Sequence, residues 1–149
     1  MDKSTRQSTN RNFIVSKVVT INELLGETIL EIRRNLVLSI HKTSDELWFR
    51  MQSGKEFRMY HDQDCDQCEI VSIEDINGDL DDLIGVPLLQ AEEVTSHENP
   101  EGITKKDQDS FTWTFYKFAT IKGYVTIRWY GASNGWYSES ITIEQINYK

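Results

Sequence analysis

The segments "YHDQDCDQCEIVSIEDI" (Tyr60–Ile76) and "YGASNGWYSESITIEQI" (Tyr130–Ile146) overlay without a gap at a shift of seventy residues. Tyr60 meets Tyr130, Glu69 meets Glu139, Ile73 meets Ile143, Glu74 meets Glu144 and Ile76 meets Ile146; just upstream, Arg58 meets Arg128. A second pair precedes them in the same order. "INELLGETILEI" (Ile21–Ile32) resembles "LDDLIGVPLLQA" (Leu80–Ala91), each reading as a short amphipathic turn, a Gly suited to a left-handed helix end, and an extended apolar segment. The spacing here is 59, and the polar "SHENPEGITKKDQDS" loop (Ser96–Ser110) of the second half absorbs the difference. Two matched blocks in one order point to two related units, at about 20–79 and 80–149.

Each unit reads as helix-β-β-β. In the first, "TILEI" opens a sheet, "ELWFRM" and "EFRMYH" flank the Gln52-Ser53-Gly54 turn, and "EIVSIEDI" follows; residues 36–40 extend or add a strand. In the second, "PLLQAEEV", "SFTWTFYKFATI", "YVTIRWYG" and "SESITIEQI" play these parts, with hairpin signals at Lys122-Gly123 and Ser133-Asn134-Gly135. The alternation of Thr112-Trp113-Thr114-Phe115 has the period of a half-buried strand. The expected fold class is α+β: mostly antiparallel β-sheet with short helices, in two tandem units related by a pseudo-two-fold. The 149 residues suffice for one compact domain, expected over 13–149 behind a mobile N-terminal tail at 1–12. No apolar run approaches the roughly 20 residues of a membrane-spanning helix, and the polar start does not read as a secretory signal.

The net charge is −8, unevenly spread. From Met59 to Thr104 there are thirteen Asp and Glu residues and no Lys or Arg, whereas the remainder carries eleven acids and sixteen bases. A field of that sign repels nucleic acid and attracts basic partners. The expected partner-binding residues are Asp62, Asp64, Asp66, Glu69, Glu74, Asp75, Asp79, Asp81 and Asp82. Trp136 and Tyr137 join them, because adjacent aromatics on a strand do not both face inward. Asp79 also fits a helix cap, with Asp81 and Asp82 in the first turn.

The His61–Cys68 stretch admits other chemistry. Asp62, Asp64 and Asp66 have calcium-loop spacing, but Gln67 and Ile73 stand where the helix–loop–helix motif needs Gly and Glu. His61, Cys65 and Cys68, with Asp62 or Asp64, form a weak set for a soft metal, without a second Cys pair. A redox Cys-x-x-Cys normally opens a helix, and this one leads into a strand. The matched loop Gly131–Ser138 holds no His, Cys or Asp, so this fold closes the loop without a ligand cage. With no secretory signal, a structural disulfide is not expected. No nucleophile elbow, phosphate-binding Gly-rich loop with Lys, or His-Glu-x-x-His occurs. No cofactor is expected.

Three stretches, "KEFRMYHDQDC" (Lys55–Cys65), "IEDINGDLDDLIGVPLLQAEE" (Ile73–Glu93) and "TWTFYKFATIKGYVTIRWYGASNGWYSES" (Thr112–Ser140), resemble a family of small acidic proteins of unknown function encoded by bacteriophages and prophages. The resemblance covers about 20–147. Its relatives carry two adjacent cysteines, whereas Asp66 and Gln67 separate Cys65 from Cys68 here. The resemblance implies a non-enzymatic accessory protein in the host bacterial cytoplasm. It would inhibit a host defence protein with a basic, nucleic-acid-handling surface, such as a CRISPR–Cas effector, without touching nucleic acid or membrane itself. One alternative is a metal-binding protein or metal-dependent enzyme centred on His61, Asp62, Asp64, Cys65 and Cys68. Another is a sponge for a small signalling nucleotide, lined by Arg33, Arg34, Lys117 and Arg128.

Overall fold

The computed structural model describes residues 14–38, 43–65, 68–105 and 108–148. The expected tail at 1–12 and Asp66 lie outside the described residues. The order of elements is β1 (Ile14–Val19), η1 (Ile21–Leu24), β2 (Ile29–Leu38), β3 (Thr43–Met51), β4 (Glu56–Tyr60), β5 (Glu69–Asn77), η2 (Leu80–Leu83), β6 (Gln90–Ser96), β7 (Ser110–Thr120), β8 (Gly123–Ser133) and β9 (Thr142–Tyr148). One sheet has the order β1-β9-β4-β3-β2, the other β5-β8-β7-β6, and all neighbours in both are antiparallel.

The α+β expectation is overturned. Among the described residues there is no α-helix, only the two four-residue 3-10 turns η1 and η2. "INEL" and "LDDL" carry apolar residues three apart, as a helix start would. Gly26 and Gly85 then turn to φ 84° and 89°, and the chain enters bridges at Thr28↔Pro87 and Ile29↔Ile84. A single turn thus ends before a fifth residue can propagate an α-helix. β1 is a strand that the sequence reading leaves unassigned. Ser133-Asn134-Gly135 does not close a hairpin, because β8 and β9 belong to different sheets.

The halves exchange their last strands. β5 leaves the first half and pairs with β8, while β9 leaves the second and pairs with β4. Positions seventy apart meet in matched registers: Tyr60 faces Thr142 and Met59 faces Ile143, as Tyr130 faces Ser72 and Trp129 faces Ile73. The glycine turns bond reciprocally at their centre. Gly26 N donates to Leu88 O at 2.9 Å and Gly85 N to Ile29 O at 2.8 Å.

The sheets pack face to face around one core, in which Leu47, Phe49, Phe57 and Met59 of one sheet meet Tyr116, Phe118, Ile127 and Trp129 of the other. Phe49 and Phe118 form an edge-on pair at 6.3 Å, a geometry that adds about 1 kcal/mol to simple burial. Alternation sends Trp113 to the opposite face of its sheet, where it is nonetheless fully buried. The connection after β6 covers it: Trp113 Nε1 donates to Asn99 Oδ1, Gln108 braces Asn99 and Tyr130, and Lys105 lies 4.9 Å over the Tyr130 ring. Asn99, Lys105 and Gln108 therefore cover a second small core at Trp113.

Gly78 follows β5 at φ 113°, and a Cβ there would meet Tyr124 O at 2.4 Å and Val125 Cα at 3.2 Å. Gly54 has φ 94° with open space around it. G54A is expected to cost about 1 kcal/mol, from left-handed strain alone. G78A adds a backbone collision and is expected to cost roughly 3 kcal/mol. Urea midpoints of the two variants check the difference.

Candidate functional site

The predicted acids lie along and around β5, whose nine residues span about 27 Å end to end. Asp62 and Asp64 are exposed in the connection before it, and Asp79, Asp81 and Asp82 lie in η2 beyond it. The acids between these ends are matched by cations. Glu69 is 1% exposed and faces His61. Arg128 donates to Glu74 through Nε at 2.9 Å and Nη2 at 2.5 Å, with Lys105 Nζ 3.9 Å from the same carboxylate. Asp75 is half-exposed, 4.0 Å from Arg128. The acids therefore divide into two separated patches rather than one continuous face.

The loop before β5 is organised by a buried pair. His61 Nε2 lies 2.6 Å from Glu69 Oε2, and His61 Nδ1 lies 2.6 Å from the Ser140 carbonyl. Since that carbonyl can only accept, Nδ1 donates to it, and Nε2 faces the Glu69 carboxyl. The Glu69 carboxylate also accepts from Cys65 N at 3.2 Å. His61 thus ties the end of β4 to the starts of β5 and β9. Neither ring nitrogen faces outward. Cys65 and Cys68 are joined by a disulfide, contrary to expectation, because the tight turn into β5 brings their Cα atoms to 5.2 Å. Among the described residues no group of three His, Cys, Asp or Glu side chains is arranged to hold a metal ion. Of the five residues named for a metal, only Asp62 and Asp64 are exposed.

The bases named for an anionic ligand are dispersed. Arg33 lies against Glu31 and 4.0 Å over the Trp48 ring, and Arg34 bridges to Asp45 at 3.0 Å. Lys117 and Arg128 belong to the other sheet, where Arg128 holds Glu74.

The η2 end is differently built. Asp79 Oδ1 accepts from Asp81 N at 2.9 Å, which caps the turn, while Asp81 is exposed. The Asp82 carbonyl accepts from Thr120 Oγ1 at 2.5 Å, which fixes the acids beside the β7–β8 turn. Lys122 of that turn donates to the Ile84 carbonyl at 2.6 Å, not to a carboxylate. Leu89 (61% exposed), Ile121 (79%) and Tyr124 (79%) are bare at or near this end. The corresponding β3–β4 turn is polar, and its charges pair locally: Lys55 Nζ lies 3.3 Å from Glu27, which also accepts from Ser53 Oγ at 2.7 Å. Trp136 is 87% exposed on the β8–β9 connection, and Tyr137 is half-buried.

Sequence reasoning missed a groove between the β6 edge and β9. Two adjoining cavities, of about 220 and 510 Å³, share Glu93, Ser140 and Ile141. The smaller is lined by hydroxyls and by Glu93 and Glu139, and half of the larger by the aliphatic side chains of Val18, Val19, Ile21, Ile141 and Ile143. Tyr116 Oη donates to Glu93 at 2.6 Å; Thr112 and Ser133 donate to Glu139 at 2.8 and 2.6 Å. Burial first, then the bond to Glu93, holds the Tyr116 phenol far above its ordinary value. The one available signal was Glu139, matched to Glu69 by the seventy-residue shift.

A family model described as a domain of unknown function, DUF7448, matches residues 22–143. The chain belongs to the DUF7448 family. No curated protein and no solved structure matches it. The DUF7448 match runs from η1 to the start of β9, so it includes both acidic patches and the smaller cavity of the groove, while Val18, Val19, Thr20 and Ile21 of the larger cavity lie before it. No helix among the described residues is long and apolar enough to cross a membrane.

Two outcomes are expected. H61A deprives Glu69 of its imidazole in a buried site and costs roughly 3 kcal/mol, whereas D62A and D64A change the urea midpoint by little. For Tyr116, the folded state favours the neutral phenol. Its contribution to stability is complete below the ordinary phenol value of 10.0 and is lost as pH rises above it. Y116F should cost roughly 1 kcal/mol at neutral pH and make the alkaline loss of stability shallower, measured by denaturant titration at several pH values.

Proposed function

We propose that this protein acts by binding rather than catalysis, and that it engages a basic protein surface through the η2 end. The observation that carries this reading is the juxtaposition of Asp79, Asp81 and Asp82 with exposed Leu89, Ile121 and Tyr124, where the one lysine of the turn is held by a backbone carbonyl. Carboxylates steer a cationic partner and disfavour nucleic acid, while the bare apolar side chains supply area to bury. A protein that handles nucleic acid presents a complementary surface, because it must neutralise phosphates. Given the phage origin that the sequence resemblance implies, the partner would be a host defence effector, such as a CRISPR–Cas nuclease, in the bacterial cytoplasm.

The test is affinity capture of a purified nucleic-acid-binding effector, in the presence and absence of its nucleic acid. Capture that the nucleic acid competes away, that D81K/D82K abolishes, and that D62K/D64K at the far end of β5 leaves intact supports the reading. Unchanged capture by D81K/D82K would eliminate the η2 end as the contact. The protein alone is expected not to retard labelled DNA or RNA.

A further inference from the structure

The groove beside β6 has a counterpart in the other half, and the two differ in one chemical respect. Register makes the comparison position by position: Ile32 pairs with Phe49 and Phe49 with Phe57, as Glu93 pairs with Tyr116 and Tyr116 with Ile127. Arg34 therefore corresponds to Thr95, Asp45 to Thr112, and Glu69 to Glu139. In the first half the named carboxylates have internal cations or an imidazole: Arg34 holds Asp45 at 3.0 Å, and His61 faces Glu69 at 2.6 Å. In the second half the corresponding places hold Thr95 and Gly131, and a new carboxylate, Glu93, stands where the first half has half-buried Ile32. Among the described residues no Lys, Arg or His lines either cavity of the groove.

The backbone alongside is also open. β6 is the terminal strand of its sheet, pairs only with β7 among the described residues, and keeps an unbroken register from Gln90 to Ser96. Glu92, Glu93, Val94 and Thr95 are all exposed. The equivalent edge, β2, is interrupted by a bulge between Ile29 and Glu31 and carries the arginines that its neighbours bind. Bulges and edge cations are devices that discourage strand addition, and β6 has neither.

We propose that β6 and this groove receive an extended, basic segment of a partner protein. The segment pairs with β6 as a fifth strand of the four-stranded sheet, and alternate side chains enter the groove. There a Lys or Arg meets Glu93 and Glu139, in the role that Arg34 and the His61 imidazole play toward Asp45 and Glu69 in the first half. Backbone pairing gives the affinity and the carboxylates select the charge. The aliphatic end, at Val18, Ile21 and Ile143, takes an apolar residue of the same segment. The site is separate from the η2 end, and this inference does not depend on that one.

The probe is a short fluorescent peptide alternating Lys with Thr and Val, measured by polarisation against the full chain. Three comparison ligands are the Glu-for-Lys peptide, the Lys peptide N-methylated on alternate amides, and spermine. Saturable binding of the Lys peptide is expected, with no binding of the other two peptides and only weak competition by spermine. E93Q/E139Q should weaken binding roughly tenfold. T95R places on β6 the cation that β2 carries and should abolish binding, while the exposure of Thr95 keeps the fold intact, as the near-ultraviolet circular dichroism of each variant checks. D81K/D82K should bind the peptide normally, which separates failure here from failure at the η2 end. Equal affinity for the N-methylated peptide would overturn strand pairing, and spermine binding as tightly as the peptide would reduce the groove to a general cation site. Absence of binding, or its appearance only after removal of residues 1–12, would overturn the proposal, the latter in favour of the chain's own tail as occupant.

Discussion

The exchange of β5 and β9 between the sheets is the constraint on which the rest of the structure depends. Without β9, β4 has no partner on one side and β1 has none at all; without β5, β8 becomes an edge. Neither half can complete its sheet alone, so the core forms only when segments far apart in sequence have met. The reciprocal bonds of Gly26 to Leu88 and Gly85 to Ile29 lie where the halves meet. Each is a modest gain, about 1 kcal/mol net. Topologies dominated by such non-local pairing fold slowly, because loop closure precedes the contacts that reward it.

The same exchange explains where the charge goes. A strand that crosses from one half to the other delivers its flanking loops to opposite ends. Acids that look contiguous in the sequence are thus separated by about the length of β5. Those within β5 meet the cations of the strand they have joined, as Glu74 meets Arg128, and Glu144 of β9 meets Arg58 of β4 at 3.3 Å. The thirteen-to-zero imbalance is real in sequence, but the cations that offset it come from outside the segment.

Much of the fold was legible. Period-two alternation located eight of the nine strands among the described residues, and the overlay of Tyr60–Ile76 on Tyr130–Ile146 matched the stretches that become β5 and β9. The short helices were misread because two apolar residues three apart satisfy both a helix start and one turn of 3-10. Only the next residues, Gly26-Glu27-Thr28 and Gly85-Val86-Pro87, decide between them. β1 went unassigned because "IVSKVV" lies close behind a polar stretch and has no turn signal before it. The candidate sites were less legible, since exposure depends on tertiary partners. Glu69 and Asp79 look alike in sequence, yet one is buried against His61 and the other caps an exposed turn. Glu93 carries no motif, and its neighbours in the groove come from four separated segments.

The halves differ most where each meets solvent. The first holds several of its carboxylates internally: Arg34 with Asp45, His61 with Glu69, Lys55 with Glu27. In the second, no basic side chain among the described residues pairs with Glu93, Glu139, Asp81 or Asp82, and Leu89, Ile121 and Tyr124 are exposed. An ion pair at exposed Glu93 or Asp81 would contribute little to the fold itself, roughly 0–1 kcal/mol. The same carboxylates are worth more to a partner that arrives with cations and excludes water, because each pair then forms in a lower dielectric. Apolar burial adds to this. Three side chains of the size of Leu, Ile and Tyr, covered together, supply roughly 5 kcal/mol before the entropy of association is subtracted. Charge alone would give fast, salt-sensitive encounters and little residence time. Open carboxylates beside bare apolar groups would both select and hold a cationic partner of the kind proposed for the η2 end.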